Sequence, residues 1–504
     1  MSPPPPSKKD GLTAIALGLL SGLLYFRTAP AVVNPDGLGY LKRIPNNFAS
    51  GHLLYLPLLR VASALCRGDG LLGGRILSAA AGAGAVVLLF VCARSLGDRF
   101  AALLAAAGLA VSFGLWAQGA DVEVYSCALL ALLFVLALAL AYRAAPSAWR
   151  ALPLGLAWAG AVLIHLVHIL LAPFVLLWCI QHARSRRAGL RNALIAGAIA
   201  GAITLASYAW AAHVRHLDLA GLYHWVATSA HGFPYHGGPI DRLADAIYGL
   251  AKALVWSPYL YESNAQTLLG QFLLGLLPLA LLLGAVVARH KTLPLPGGAL
   301  LLWSGAYLVF ALAFFASDHE RWIFVLPPLW LAGAAAIATY PRRELMGAGL
   351  ILYLALANAV TAIGPARHYS WPRTRADAAA ELMRPGDLVF FPGHSWDEYL
   401  GFYTHTAIVP FPISYYWALD GQKGCLARLE REITAAHQRG ARIFTVRIFA
   451  PPDEAGGFAE LSQLGLAPES LRALFDRFTA VPLSTREPKI TVWRLDERRA
   501  TDRP

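Results

Sequence analysis

Long apolar runs separated by short polar connections fill the first 364 residues of the chain. A helix of about twenty apolar residues is long enough to cross the ~30 Å hydrocarbon core of a membrane. We predict spans at residues 11–31, 75–93, 99–115, 122–142, 151–165, 167–181, 192–212, 265–288, 297–316, 322–340 and 345–363. A further stretch, 51–66, is short and carries Arg60, so we predict that it forms a helix at the membrane surface.

The connections between these runs alternate in charge. If Lys8 and Lys9 lie inside the cell, the even-numbered connections face the cytoplasm, and each of them is short and basic. Their cations are Arg94, Arg99, Arg143, Arg150, Arg184, Arg186, Arg187, Arg191, Arg289, Lys291, Arg342 and Arg343. Because cytoplasmic loops are enriched in Lys and Arg, the pattern predicts about eleven spans, a cytoplasmic N-terminus and an external C-terminus.

The end of the chain has a different pattern. Residues 388–391 (LVFF), 442–448 (RIFTVRI) and 490–493 (ITVW) are typical of strands. Helical patterns alternate with them at 374–383, 421–439 and 458–475. This alternation predicts a small α/β domain outside the membrane. The predicted domains are a transmembrane domain at 1–364, with outside loops at 34–74 and 213–264, and a periplasmic domain at 365–504.

Composition agrees with this fold class. Of the 504 residues, 57% are hydrophobic and 14% are charged, against about 45–50% and about 25% in a soluble domain. The net charge of +12 resides largely in the short loops, so it reports topology and not nucleic-acid binding. The five cysteines have no metal-ligand spacing and predict no disulfide framework. We therefore predict a polytopic α-helical membrane protein with a C-terminal extracytoplasmic α/β domain.

The first outside loop carries one candidate carboxylate and several basic side chains. Asp36 follows the first span, where a carboxylate in water beside lipid can act as a base. Lys42, Arg43 and His52 follow it, and cations there suit a phosphate head group. The alternative is that Asp36 only turns the chain, because Asn-Pro-Asp-Gly favours turns.

Two more outside loops bring charges to the same membrane face. Asp121 and Glu123 begin the fourth span, where they either cap a helix or serve the site. Residues 317–328 read SDHERWIFVLPP, and Arg321 enters the interface there. The partner of Arg321 is then either a neighbouring acid such as Glu320 or a lipid phosphate.

Histidines are frequent but do not form a metal motif. His165 and His168 share a helix face, yet no third ligand is near in sequence, so packing or hydrogen bonding is the preferred interpretation. No phosphate-binding loop and no GxSxG elbow is present, which excludes a recognisable nucleotide-hydrolysis site. We expect no cofactor, with a divalent metal left open.

Several of these segments together resemble one group of membrane enzymes. The segments are the Asp36 loop, GHLLYLP with His52, the span led by Arg75, Trp116 with Glu123-Val124-Tyr125, and HERWIFVLPP. They resemble the GT-C glycosyltransferases, and most closely the family that includes a eukaryotic protein O-mannosyltransferase. An outside α/β domain at the C-terminus recurs in that group.

The resemblance implies transfer of a sugar from a polyprenyl-phosphate carrier to an acceptor hydroxyl outside the cytoplasm. It places the protein in a bacterial inner membrane, with the lipid-linked donor, membrane lipid and an unknown acceptor as partners and no nucleic acid. A carboxylate would take the acceptor proton: Asp36, helped by Glu123 or Asp121. Cations would hold the carrier phosphate: Arg321, Arg75, His52, Lys42 and Arg43. Further candidates are Glu320, Trp116, Tyr125 and His165.

Two alternatives remain open. A lipid-linked glycan polymerase or ligase would use arginines and histidine in long loops, and the His-rich loop 213–264 fits it. A lipid or solute transporter would show paired halves with broken spans and mid-membrane charges. The strong charges here lie at the ends of the spans instead.

Overall fold

The computed structural model describes residues 7–44, 48–227, 238–256, 265–290, 297–314, 316–368, 370–391, 395–404, 407–446, 478–486 and 491–497. The chain forms two compact units. The membrane unit comprises Met1–Ala31 and Arg43–Tyr369, and the sheet unit comprises Val32–Lys42 and Ser370–Pro504. The short segment after the first helix therefore folds with the C-terminal part of the chain.

Helices make up the described part of the chain as far as residue 368. They are α1 (Lys8–Arg27), α2 (Pro35–Arg43), α3 (Tyr55–Leu65), α4 (Gly70–Leu96), α5 (Arg99–Val111), α6 (Phe113–Ala120), α7 (Val124–Ala144), α8 (Ala148–Ile164), a 3₁₀ helix (Leu166–Leu171) leading into α9 (Ala172–His182), α10 (Arg186–Val214), α11 (Leu219–Ala227), α12 (Pro239–Leu254), α13 (Ala265–Arg289), α14 (Gly297–Phe314), α15 (His319–Trp322), α16 (Leu326–Ile337), α17 (Arg343–Asn358), a π turn (Ala359–Ile363) and α18 (Gly364–His368).

The helices fit a multi-pass membrane protein, as predicted. Six described helices are long and apolar enough to cross a membrane, or seven if the bent pair α5 and α6 counts as one span. A helix lies over each of the eleven predicted apolar runs. The short stretch 51–66 forms α3, an 11-residue helix. How many of these helices cross the bilayer stays a prediction.

The predicted third span is not straight. The helix bends by 57° at Ser112, between α5 and α6. The Ala110 carbonyl accepts a hydrogen bond from the Tyr25 hydroxyl at 3.0 Å, and the Val111 carbonyl accepts one from the Asn358 amide at 2.8 Å. A break at membrane depth is tolerated only where such partners satisfy the freed backbone groups. The bend gives α6 a direction different from that of α5, ahead of Glu123.

The sheet unit holds a five-stranded sheet. Its remaining elements are α19 (Trp371–Ala380), β1 (Leu388–Phe391), α20 (Ser395–Tyr403), β2 (Val409–Pro412), α21 (Ile413–Gln438), β3 (Ile443–Val446), β4 (Phe478–Ser484) and β5 (Thr491–Glu497). The strand order is β2-β1-β3-β5-β4; β1 runs parallel to β2 and β3, and β5 runs antiparallel to β3 and β4.

Both faces of β1 are buried, which explains the unbroken apolar sequence LVFF. Leu388 and Phe390 pack in a core with residues of α21, whereas Val389 and Phe391 pack in a second core with α19 and α20. The three predicted strands are present, and β2 and β4 were not predicted. The predicted helix at 458–475 lies outside the described residues.

Candidate active site

Glu123 lies in the extended link between α6 and α7. Its side chain is completely buried, and it caps α7 by accepting a hydrogen bond from the Val124 amide at 3.1 Å. The Ser78 hydroxyl lies 3.2 Å from both the amide and the carbonyl of Glu123. Glu123 therefore caps α7, which is one of the two roles considered for it from the sequence. However, a wholly buried carboxylate at the start of a membrane helix is costly, so a capping role alone does not explain it.

Asp121 lies two residues earlier and is also buried. Its carboxylate accepts a hydrogen bond from the Val122 amide at 2.8 Å. Tyr55 of α3, itself fully buried, lies close enough to Asp121 and Glu123 to interact with both charges. The sequence prediction of a surface helix at 51–66 did not include this proximity of α3 to the acids of the second loop.

Arg321 reaches the first turn of α7 from a distant part of the chain. Its guanidinium donates a hydrogen bond to the Tyr125 hydroxyl at 3.3 Å, across 196 residues of sequence. Its Nε lies 3.5 Å from the carboxylate of Asp318, so the local acid pair also forms. A cation from the HERW segment thus contacts Tyr125, which lies two residues after Glu123 in the chain.

The HERW segment is also tied to the bent helix. The Glu320 carboxylate accepts a hydrogen bond from the Gln118 amide of α6 at 3.1 Å. The Asp318 carboxylate caps α15 by accepting from the Glu320 amide at 3.1 Å. Arg321 is therefore held in a turn that two carboxylates anchor, Asp318 within the turn itself and Glu320 to α6.

Lys252 is a charged residue of this region that the sequence did not reveal. It is only 8% exposed, and its ammonium donates a hydrogen bond to the Ser317 carbonyl at 3.1 Å. The ammonium also lies 4.2 Å from the ring centroid of Trp256 and 4.9 Å from that of Tyr248. Burial lowers the pKa of Lys252, while the charges of Asp318 and other nearby acids act in the opposite direction.

One sequence feature could have indicated this packing. A Cβ at Gly249, one turn before Lys252, would collide with the Ala316 carbonyl and the Trp322 ring. Glycine therefore lets α12 approach the turn before α15 closely enough to bury the lysine. A glycine and a lysine three residues apart in an amphipathic helix are a weak signal, and only the fold gives it meaning.

His319 lies in the same turn as an uncharged ring. Its centroid is 5.0 Å from that of Phe113, and its Nδ1 is 3.7 Å from the Asp318 carboxylate. Burial lowers the pKa of His319 to about 4, against the opposing effect of Asp318. His319 is therefore neutral at physiological pH and does not compete with Arg321 or Lys252 as a cation.

The other histidines of the site are packed in a row. The rings of His52 and His165 lie 4.7 Å apart, and that of His165 lies 5.5 Å from Tyr125. His168 donates from Nε2 to the Ala128 carbonyl at 3.1 Å and accepts at Nδ1 from the Tyr307 hydroxyl at 2.6 Å. Both ring nitrogens of His168 are occupied, in agreement with the preferred hydrogen-bonding interpretation.

Two further predicted residues secure the end of α1. The Arg75 guanidinium donates to the Pro30 carbonyl at 2.6 Å, and the Trp116 indole donates to the Thr28 hydroxyl at 2.9 Å. Both therefore fix the chain where it leaves the first helix.

Asp36, Lys42 and Arg43 lie on α2, which begins in the sheet unit. Asn34 caps this helix by accepting a hydrogen bond from the Gly37 amide at 2.7 Å. The predicted Asn-Pro-Asp-Gly turn is thus a helix start, because an Asn cap followed by proline favours helix initiation. Asp36 is exposed in the first turn, and Lys42 and Arg43 are exposed at the end.

A resident metal finds no ligand set in the described part of the chain. No group of three or more His, Cys, Asp and Glu side chains among those residues is arranged to hold a metal ion.

Solved structures of similar fold include ArnT and an oligosaccharyltransferase. The chain aligns with ArnT from Cupriavidus metallidurans, bound to undecaprenyl phosphate, at TM-score 0.60 and 14% identity, covering 97% of this chain and 98% of that one. It aligns with the oligosaccharyltransferase of Archaeoglobus fulgidus, tethered to an acceptor peptide, at TM-score 0.51 and 10% identity, covering 97% and 74%. This chain has the GT-C fold. The fold predicted from the motifs is therefore confirmed, while no family profile and no curated protein matches the sequence.

Proposed function

We propose that the protein is a glycosyltransferase that moves a sugar from a polyprenyl-phosphate-linked donor to an acceptor hydroxyl on the extracytoplasmic face of the membrane. The observation that carries the proposal is the contact of Arg321 with Tyr125, two residues after the buried Glu123, within a GT-C fold. The transfer needs both a carboxylate and a cation. The acceptor hydroxyl loses a proton, which a carboxylate can take, and the carrier phosphate gains negative charge, which a cation can stabilise.

In the proposed reaction the acceptor hydroxyl loses its proton to a carboxylate as its oxygen attacks the anomeric carbon. The bond from that carbon to the carrier phosphate breaks, and the electron pair leaves with the phosphate. Asp36 is the proposed base because it is exposed in the first turn of α2, a helix that Asn34 caps. Glu123 and Asp121 are the proposed helpers that orient the acceptor side.

The departing phosphate gains charge, so a nearby guanidinium lowers the barrier to its departure. Arg321 is the first candidate, because Asp318 and Tyr125 hold it in place. Arg75 is the second, since it gives one Nη to Pro30 and a guanidinium has five N–H donors. His52, Lys42 and Arg43 are proposed as further contacts for the carrier.

We also propose that the protein has the membrane topology predicted from its sequence. Eleven spans would cross a bacterial inner membrane, the N-terminus would be cytoplasmic, and the domain at 365–504 would be periplasmic. The multi-pass helices and the basic, short even-numbered connections support this arrangement.

Asp36→Asn tests the base directly. The purified chain in liposomes is given a polyprenyl-phosphate-linked sugar and an acceptor, and released polyprenyl phosphate is measured. Loss of a general base costs about 10²–10⁴-fold, so turnover of Asp36→Asn is expected to fall within that range.

Asp69→Asn is the matched control for Asp36→Asn. Asp69 lies in the same outside loop and caps α4 through the Leu72 amide, and Asn caps a helix equally well. Its turnover should stay near that of the wild type. Unchanged turnover of Asp36→Asn with intact folding would remove Asp36 from the mechanism.

A further inference from the structure

Three arginines surround a cavity in the sheet unit, far in sequence from the residues of the candidate active site. The cavity has a volume of about 340 Å³ and is lined by two loops, residues 384–387 before β1 and 439–442 before β3. It therefore lies at the amino ends of two parallel, adjacent strands. The charged lining residues are Arg384, Asp387, Arg439 and Arg442.

Asp387 neutralises only one of these cations. Its carboxylate is buried and binds the Arg442 guanidinium at 2.6 Å. It also accepts hydrogen bonds from the Arg384 amide at 2.7 Å and the Arg442 amide at 3.1 Å. These contacts occupy both oxygens of Asp387, so it offers no further site to Arg384 or Arg439 side chains. The cavity lining keeps an excess of two positive charges, from three arginines and one aspartate.

Arg442 is held rigidly at the cavity. Besides its pair with Asp387, its Nη2 donates to the Leu382 carbonyl at 3.0 Å, and its guanidinium lies 5.0 Å from the ring centroid of Phe444. A guanidinium fixed in this way loses little conformational freedom when an anion binds.

Arg384 and Arg439 are exposed at the rim. Within the described residues, no acidic partner is found for either side chain. Glycines in the left-handed region, Gly386 with φ 89° and Gly440 with φ 66°, fix the turns that follow these two arginines. Two separate loops are thus shaped to bring unneutralised guanidinium groups to one cavity.

We propose that this cavity binds a phosphate-bearing ligand through Arg384, Arg439 and Arg442. Guanidinium forks match phosphate oxygens in geometry, and the volume has room for a phosphate with a small organic substituent. A phospholipid head group and a soluble phosphate ester share this chemistry. The binding site does not depend on the transfer reaction proposed above.

Calorimetry on the full chain in detergent tests the proposal at low ionic strength. The probes are glycerol 1-phosphate and the short-chain lipid dihexanoyl-phosphatidylglycerol. The double variant Arg384→Gln/Arg439→Gln should weaken binding of the preferred probe by about tenfold or more, because two charged hydrogen-bond donors are lost. Tighter binding of the lipid assigns a head group, and tighter binding of the soluble ester assigns a free phosphate.

The matched control is Lys423→Gln/Arg431→Gln, which removes two exposed positive charges from α21 outside the cavity lining. It should bind both probes like the wild type. Equal losses in the two double variants would reduce the effect to general electrostatics and overturn the proposal. No saturable binding, or binding abolished by Arg321→Gln but not by Arg384→Gln/Arg439→Gln, would also overturn it.

Discussion

Lys252 shows how a single residue acquires its significance from packing. It is a buried lysine between two aromatic rings, and it donates to the carbonyl just before Asp318. Buried lysines are rare unless they are paired. Its charge offsets those of the acids in the turn that presents Arg321, so it serves as a positioning residue for that turn.

Lys252→Met is expected to lower turnover by about tenfold or more, since a charged hydrogen bond contributes about 1.5–3 kcal/mol. Lys252→Arg keeps the charge and should retain more activity than Lys252→Met. The rate of sugar transfer by equally folded variants is the measurement. Equal turnover of Lys252→Met and the wild type would contradict the positioning role.

His319 predicts a dependence of stability on pH. Its pKa of about 4 in the fold lies below the ordinary value near 6.5, so the unfolded chain binds the proton more readily. Its contribution to stability is full above about pH 6.5 and is lost as the pH falls toward 4. The Tm of His319→Phe should therefore fall less than that of the wild type between pH 7.5 and pH 5.

The control for His319→Phe is His290→Phe, which changes an exposed histidine at the end of α13. It should show the wild-type loss of Tm on acidification. If the Tm of His319→Phe fell on acidification as much as that of the wild type, another group would cause the pH dependence.

The sequence identified some of the charged residues of the site and missed others. Glu123 and Arg321 were identified because each charge stands where a predicted span meets water. In the structure Glu123 caps α7, and Arg321 contacts Tyr125 in the first turn of that helix. Lys252 escaped notice because a lone lysine in an amphipathic helix usually faces solvent. Its burial depends on a contact between α12 and a turn about 65 residues away.

Among the elements, the bend at Ser112 matters most for the site, because it directs α6 and the acids that follow. Asn358 supports it by donating to the carbonyls of Val111 and Leu254, both at 2.8 Å. Asn358→Leu leaves two buried acceptors without this donor, and each costs about 1–3 kcal/mol. We expect a clear fall in Tm and in turnover.

Thr361→Val is the control for Asn358→Leu. Thr361 lies one turn later, and its hydroxyl donates only to the Ala357 carbonyl of its own helix in the described contacts. Its Tm should stay near the wild-type value. If both variants behaved alike, the bend would not depend on Asn358.

The sheet unit holds the segment that carries Asp36. The Val33 amide donates to the Tyr403 hydroxyl of α20 at 3.1 Å, and Arg373 lies over the Tyr403 ring at 5.4 Å. Tyr403→Phe keeps the ring and removes the hydrogen bond. It should lower kcat several-fold with little change in KM for the donor or in Tm.

Tyr416→Phe removes a hydroxyl from another half-buried tyrosine of the same unit, next to Phe411. It should leave kcat unchanged. If Tyr403→Phe lowered Tm enough to account for its loss of activity, Tyr403 would have a structural role only.

The two unpredicted strands share one physical reason. β2 contains Pro410 and Pro412, and β4 contains Pro482. Proline cannot donate to a strand ladder, so its presence argues against a strand in sequence-based prediction. β2 and β4 are the outer strands of the described sheet, where one side needs no partner and proline is tolerated.

For the whole molecule, hydropathy and loop charge predicted the membrane class, and the motifs predicted the GT-C fold, which the alignment with ArnT confirms. Neither could predict that the loop bearing Asp36 folds with the C-terminal unit, because that depends on contacts across some 370 residues.

The most direct test of this account is an electron cryo-microscopy map of the full chain with bound undecaprenyl phosphate. We expect the phosphate within about 3 Å of the Arg321 guanidinium, the distance of a charge-assisted hydrogen bond. The lipid chain should pass out between helices, with Glu123 and Asp36 on the side open to an acceptor. A phosphate bound elsewhere, or Asp36 remote from it, would contradict the proposed mechanism.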